Sequence, residues 1–329
     1  ILQKTEIKLR EIKLKTFIDD SLKRHRLKLI NCGIEDYVDE MIRLGGKKKV
    51  LVICNTVKKA VTLYEILRNR NVSVQVLHSL FIQKDRFYLE KQIKRFAQAD
   101  LNGIWITTQL VEASIDIDFD VLFTEMSVLD SLFQRLGRCY RQRKLDNAQP
   151  NIWVFTKDMS GVPYVYDKDL VEKSIALLQP YDEKVILESE KMKLIEHLYE
   201  PKNLHGTQFL EVFEKTLAYL QTLDPYDMDK NQAQKYLRDI HHIRVIPRNI
   251  FDSIEPLLGE YQKEEDKAKR RRLRRKINQY TLSINKYRAG KLVSYNELPK
   301  SLRNIAIINL EYEFDGNSGK GLILNESLS

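Results

Sequence analysis

Between Ile34 and Lys157 the apolar positions switch repeatedly between runs that suit strands and spacings that suit helices. Lys49–Cys54 contains an unbroken Val-Leu-Val-Ile-Cys run, as expected of a strand covered on both faces. Ile34–Leu44 reads as a helix stopped by Gly45-Gly46, and Asn55-Thr56 opens an amphipathic helix reaching about Asn69. Val74–His78, Gly103–Thr107, Val121–Thr124 and Asn151–Phe155 read as further strands. Gln83–Ala97 and a segment from Asp130 read as helices. Such alternation predicts right-handed βαβ units and a parallel sheet flanked by helices. Ligands of these sheets lie beyond the carboxyl ends of the strands. Cys54-Asn55-Thr56, Thr107-Thr108-Gln109 and Thr124-Glu125 all fall there.

The flanks differ. Residues 1–33 hold two alternating stretches, Ile7–Leu14 and His25–Ile30, which suit half-buried strands. They are expected to be a lead-in from an upstream domain, able to donate strands to the next one. Beyond Met159–Pro163 the strand signal fades. Leu170–Leu178, Glu188–Leu198, Thr207–Leu223 and Lys230–Ile240 read as helices, and Tyr261–Arg288 carries one long helical pattern. Residues 158–329 are therefore expected to form a mainly helical accessory domain, with a small β component around Ile305–Leu310.

The 329 residues suffice for two domains, and a hydrophobic content of 43% supports ordinary globular cores. Net charge is +9, which favours polyanionic partners. Cys32, Cys54 and Cys139 stand alone without C-x-x-C spacing, which argues for a reducing compartment and against a zinc site. No apolar run approaches the roughly 20 residues needed to span a bilayer. No membrane partner and a cytoplasmic location are expected. A chain that starts at Ile1 is expected to be part of something longer.

The chemistry concentrates in two stretches. Ile104–Glu125 contains Thr-Thr-Gln-x-x-Glu-x-Ser-x-Asp-x-Asp, and Phe133–Arg141 contains Gln-Arg-x-Gly-Arg-x-x-Arg. On a helix, Gln134, Arg138 and Arg141 would fall at i, i+4 and i+7 and form one row. Multi-donor cations in a row suit phosphate oxygens, although a solvated basic face has the same spacing. Asp116, Asp118 and Asp120 alternate, as solvated positions on a strand edge also would. The run Lys269–Lys276 is strongly basic, but Glu264-Glu265-Asp266 precedes it, and a solvated helix is the expectation there.

The two stretches together resemble motifs V and VI of superfamily 2 helicases, and most of all those of the CRISPR-associated helicase–nuclease of type I interference systems. The resemblance rests on Glu112, Ser114, Asp116, Asp118, Phe119 and Asp120, followed by Gln134, Arg135, Gly137, Arg138 and Arg141. It covers residues 34–157 closely and the remainder loosely. It implies that the sheet is the second RecA-like domain, of the P-loop-NTPase type. It further implies that Arg138 and Arg141 face ATP, that Gln134 senses the γ-phosphate, and that Asp116 and Glu112 belong to the nucleotide side. The ATP and its Mg2+ would be held mainly by an upstream RecA-like domain, with no metal ligands in this chain. Asn55 and Thr56 match motif IV, and His78 and Arg86 match a His-x-x-Phe…Asp-Arg segment. With Thr107, Thr108 and Gln109 they would touch single-stranded DNA. Arg135 matches a position used more often structurally.

A G-x-x-x-x-G-K-[ST] loop, an acidic magnesium box and a His-Asp dipeptide are all missing. The implied partners are therefore an upstream motor half, a nuclease domain or subunit, and an RNA-guided surveillance complex. Two other readings stay open. One is a superfamily 2 RNA or repair helicase outside CRISPR. The other is a nucleotide-independent nucleic-acid-binding module.

Overall fold

A computed structural model describes residues 18–145, 148–221 and 242–324. The expected strand Ile7–Leu14 and the expected helix Lys230–Ile240 lie outside the described residues. The first part of the chain runs β1 (His25–Ile30), α1 (Val38–Gly45), β2 (Lys49–Ile53), α2 (Val57–Asn69), β3 (Val74–Leu77) and α3 (Gln83–Gln98). It continues through β4 (Gly103–Thr107), α4 (Leu110–Ser114), β5 (Val121–Glu125), α5 (Leu129–Leu136) and β6 (Ile152–Phe155). Then come α6 (Lys168–Leu178), β7 (Val185–Ile186), α7 (Glu188–Leu198), α8 (Pro201–Leu204) and α9 (Gln208–Gln221).

Seven strands make one sheet in the order β3-β4-β2-β5-β6-β1-β7, parallel except for β7. All residues of β4 and β5 are buried, as their continuous apolar runs require when helices cover both faces. The register Val50↔Ile104 and Val50↔Val121 aligns the carboxyl ends of β2, β4 and β5, so the loops after them converge. The helix α2 begins where expected because Thr56 caps it, its hydroxyl accepting from Lys59 N.

The sheet reaches further in both directions than the span 34–157. His25–Ile30 lies inside it, pairing Leu27 with Ile152 and His25 with Ile186. Leu170, Val171, Leu178, Leu194 and Leu198 of α6 and α7 share its core.

The remaining described residues form β8 (His242–Pro247), α10 (Arg248–Ser253), α11 (Glu255–Lys263), α12 (Lys267–Asn278) and β9 (Leu282–Asn285). These are followed by β10 (Val293–Ser294), β11 (Ile305–Ile308), β12 (Tyr312–Glu313) and β13 (Gly321–Leu322). A four-stranded sheet, β10-β11-β8-β9, packs on α11 and α12 around Ile246, Leu258, Tyr261, Leu273, Ile277 and Ile305. The long helix expected over Tyr261–Arg288 is four elements, the end of α11, α12, β9 and a short helix at Lys286–Ala289. Asp266 leaves the helical region and caps α12 by accepting from Lys269 N at 2.7 Å, and Leu282–Asn285 is a strand. The β component is thus larger than the periodicity suggests, because short strands with irregular alternation leave little trace in it.

This second module sits on the loop between β3 and α3. Tyr312 donates its hydroxyl to the Asp85 carboxylate at 2.7 Å, and Leu322 N donates to Leu80 O at 3.0 Å. Phe81 meets Tyr312 and Phe314 edge-on. At Gly321 (φ +69°) a Cβ would stand 2.8 Å from Leu80 O, so this close approach needs glycine.

Candidate functional site

Two clusters carry the candidate chemistry. The first lies where the turn after α5 meets the segment leading into β5. The helix α5 stops at Leu136 with Gly137 as its C-cap, and Phe119 then takes the backbone of the turn: its N–H donates to Arg138 O and its carbonyl accepts from Tyr140 N. The expected single helical row of Gln134, Arg138 and Arg141 therefore does not form. Gln134 is exposed on the last turn of α5, while the two arginines occupy the turn beyond it. They are nonetheless placed together. Arg138 donates Nη1 to Ile115 O at 3.0 Å and Nη2 to Glu112 O at 2.5 Å, and Arg141 reaches Asp116 Oδ1 at 2.7 Å. Burial and the neighbouring Arg141 charge push the Arg138 guanidinium below its ordinary value. Its Nε is buried without a partner, whereas the Arg141 and Asp116 side chains stay 41% and 82% exposed.

Three residues away, Arg135 is wholly buried. It donates Nε to Glu112 Oε1 at 2.8 Å, Nη1 to Thr124 Oγ1 and the Glu125 carbonyl, and Nη2 to the Tyr166 hydroxyl at 2.7 Å. Burial raises the Glu112 carboxyl, and Arg135 opposes that shift. The Glu112 carboxylate is thus turned onto Arg135 rather than onto the nucleotide side, because a buried guanidinium needs a counter-charge. Asp118 and Asp120 are bound by Arg143, at 3.0 and 2.7 Å, and also accept from Arg141 N and Lys49 N. They tie the turn to the amino ends of β5 and β2.

The second cluster is an open cleft of about 780 Å3 beyond the carboxyl ends of β2 and β4. Asn55, Thr56, Thr108, Gln109, Tyr164 and Ser283 are among the residues that line it. A buried carboxylate holds two of its lining residues, Asn55 and Ser160. Glu125 accepts from Asn55 N and Ser160 N, each at 2.6 Å, and from Ser160 Oγ at 2.8 Å. Burial still drives its carboxyl upward. Gln109 Nε2 donates to Asn55 O at 2.6 Å, joining the loops after β2 and β4.

Three expected strand contacts do not line this cleft. Thr107 is fully buried, its hydroxyl turned to Thr108 O. His78 is fully buried beneath residues 320–322, where burial holds its ring down to about 3 and Nδ1 accepts from Leu80 N. Arg86 is on α3, paired with Glu90 at 2.8 Å. Ser160, Tyr164 and the β9 wall were not singled out from sequence, and Glu125 was placed at a strand end without a role. Only Glu125 carried a signal, as an acid at the end of a buried strand.

Among the described residues no His, Cys, Asp and Glu cluster could hold a metal ion, and no helix is long and apolar enough to cross a membrane. Residues 46–144 match the family model described as CRISPR-associated nuclease/helicase Cas3, C-terminal. A Cas3 nuclease/helicase of Methanothermobacter thermautotrophicus is 30% identical over 236 residues, covering 68% of this chain and 28% of that protein. The Escherichia coli Cas3 endonuclease/helicase is 37% identical over 105 residues, covering 29% of this chain and 12% of that protein. The ADP-bound T. fusca Cas3 crystal structure superposes with a TM-score of 0.68 at 17% identity, covering 96% of this chain and 44% of that one. This chain therefore spans about a quarter of its archaeal relative and under half of the solved one. By sequence and by fold, the chain is a relative of the C-terminal part of Cas3, the CRISPR-associated superfamily 2 helicase.

Proposed function

We propose that this chain supplies the second motor domain of an ATP-dependent single-stranded-DNA translocase acting in CRISPR defence. The observation that carries the reading is the arginine edge. Asp116, Arg138 and Arg141 converge on a partly open surface, where the Arg141 guanidinium is exposed. These donors fit a triphosphate presented from across an interdomain cleft, with Arg138 and Arg141 on its oxygens and Gln134 beside the attacking water. ATP with Mg2+ supplies the phosphoryl transfer, and an upstream RecA-like domain would hold most of it. Alone, this chain is expected to lack ATPase activity.

The cleft lined by Asn55, Thr56, Thr108 and Gln109 would carry the strand. Backbone N–H groups and hydroxyls serve its phosphates, and Tyr164 offers a face for a base. Arg135 and Glu112 would act as positioning residues: Glu112 bonds Arg135 through its carboxylate and Arg138 through its carbonyl. The relatives' names motivate a nuclease elsewhere in the full protein or in a separate subunit. A solved Cas3-like chain in an RNA-guided surveillance complex motivates that complex as partner.

The test is DNA-stimulated ATPase of the complete gene product, or of this chain mixed with its upstream half, with and without Arg138→Ala. Stimulation by single-stranded DNA that the substitution lowers by roughly 10³-fold or more supports the motor. Absence of ATPase in the assembled protein, or an unaffected variant, overturns it in favour of a nucleotide-independent binding module. Stimulation by RNA instead of DNA would move the protein outside CRISPR.

A further inference from the structure

We infer a second nucleic-acid site, separate from the cleft, on the exposed face of α12, which would hold a phosphate backbone without regard to sequence. Its twelve residues, Lys267–Asn278, contain eight Lys and Arg and no acid. The remainder of the chain then has 47 basic against 46 acidic residues, since the totals are 55 and 46. Nearly all the net positive charge of the protein thus sits on one helix about 18 Å long.

That charge is not neutralised from within. Leu273 and Ile277 anchor the helix to the second core, while Lys269, Arg271, Arg272, Arg275 and Lys276 remain exposed. No ion pair involves any α12 cation among the described residues. Arg270 lies over the Tyr261 ring and Arg274 donates to Asn304. Of the acids just upstream, Asp266 caps the helix and Glu264 accepts from Asp266 N, and neither forms an ion pair with an α12 cation. Elsewhere the same residue types are paired, as in Arg248 with Glu297 at 2.7 Å and Arg43 with Glu40 at 2.6 Å. Charges so concentrated and left open raise a local potential that attracts a polyanion.

The position points to nucleic acid rather than to an acidic protein. The helix α12 leads within a few residues into β9, whose Ser283 and Asn285 form a wall of the cleft. Gln279 and Thr281, between them, accept from Lys84 N and Gln83 N of α3. The basic face is thus fixed in orientation to the cleft. Along its length one strand of a duplex presents roughly five phosphates at about 3.4 Å intervals. Duplex entering the motor and single strand leaving it carry the same chemistry, and both are tested.

The measurement is fluorescence anisotropy of the full chain with labelled 30-mers, single-stranded and duplex, between 50 and 300 mM KCl. The variant combines Arg271→Gln, Arg272→Gln, Arg275→Gln and Lys276→Gln; a control combines Arg271→Lys, Arg272→Lys and Arg275→Lys. Affinity at low salt should fall about 10²-fold or more in the first variant. Its log–log salt slope should flatten by roughly 3. The control should keep both near wild type with the same thermal midpoint. The 30-mer that suffers more identifies the strand held. Unchanged affinity and slope in the glutamine variant overturn the inference, as does equal binding of polyglutamate at matched charge. Tyr164→Ala separates this site from the cleft. If Tyr164→Ala weakens single-strand binding while the glutamine variant does not, α12 fails and the cleft reading stands.

Discussion

The arginine edge and the loop after β3 are both built from helicase-like motifs, and they have opposite fates. At the edge, Arg141 and Asp116 stay largely exposed, and Arg138 donates to two backbone carbonyls. At the loop, the chain covers itself: Tyr312, Phe314 and residues 320–322 close over His78, Phe81 and Asp85. Motif-bearing residues thus divide according to whether another segment of the same chain reaches them first. Open ones are available to ligands, and sealed ones serve stability.

The division is sharpest between Arg135 and Arg138, three residues apart. Arg135→Ala should be the most damaging change, costing about 3–5 kcal/mol, because it leaves the largely buried Glu112 carboxylate without its counter-charge. Urea unfolding of the chain measures it, and a loss below about 1 kcal/mol would break the contrast. Arg138→Ala should lower the ATPase of the assembled enzyme by about 10³-fold, equivalent to roughly 4 kcal/mol. Its effect on the unfolding midpoint should be much smaller than that of Arg135→Ala.

On the sealed side, His78 supplies a pH dependence. Burial keeps the ring neutral in the fold, with its titration down at about 3 against 6.5 when exposed. The unfolded chain therefore binds the extra proton first. Stability is intact above about pH 6.5 and declines as pH falls from there toward 3. Between pH 5.5 and 4 this one group should remove about 2 kcal/mol, at about 1.4 kcal/mol per unit. Comparing wild type with His78→Phe across that interval isolates it; parallel curves would mean that His78 is solvated. Tyr312→Phe should cost about 1–3 kcal/mol by leaving the Asp85 carboxylate buried without its donor. The smallest effect belongs to the open edge. Asp116→Asn should change stability by less than about 1 kcal/mol, since its partner Arg141 is also exposed.

The parallel sheet was legible because unbroken apolar runs such as Val50–Ile53 belong to strands covered on both faces. The convergence of Asn55, Thr56, Thr108 and Gln109 followed from their places at strand ends. Two features were not legible. The helical row of Gln134, Arg138 and Arg141 assumed that α5 continues, but the bridge between Phe119 and the turn at Arg138–Tyr140 depends on a contact 20 residues away. The burial of His78 depends on residues 320–322, more than 240 positions along, and local pattern holds no trace of it. The basic run illustrates a third limit. It was read as a solvated helix and its cations are indeed exposed, but the cap at Asp266 that sets where the helix starts was not read.

The insertion of β1 between β6 and β7 has a consequence for synthesis. His25–Ile30 leaves the ribosome well before the strand it pairs with in parallel, which begins at Ile152. At roughly 5–20 residues per second, about 120 further residues take on the order of 6–25 seconds. Through that interval Leu27 and Ile30, which the finished sheet buries, wait without their neighbours. Only when β6 and then β7 emerge does the central layer gain its last interior strand.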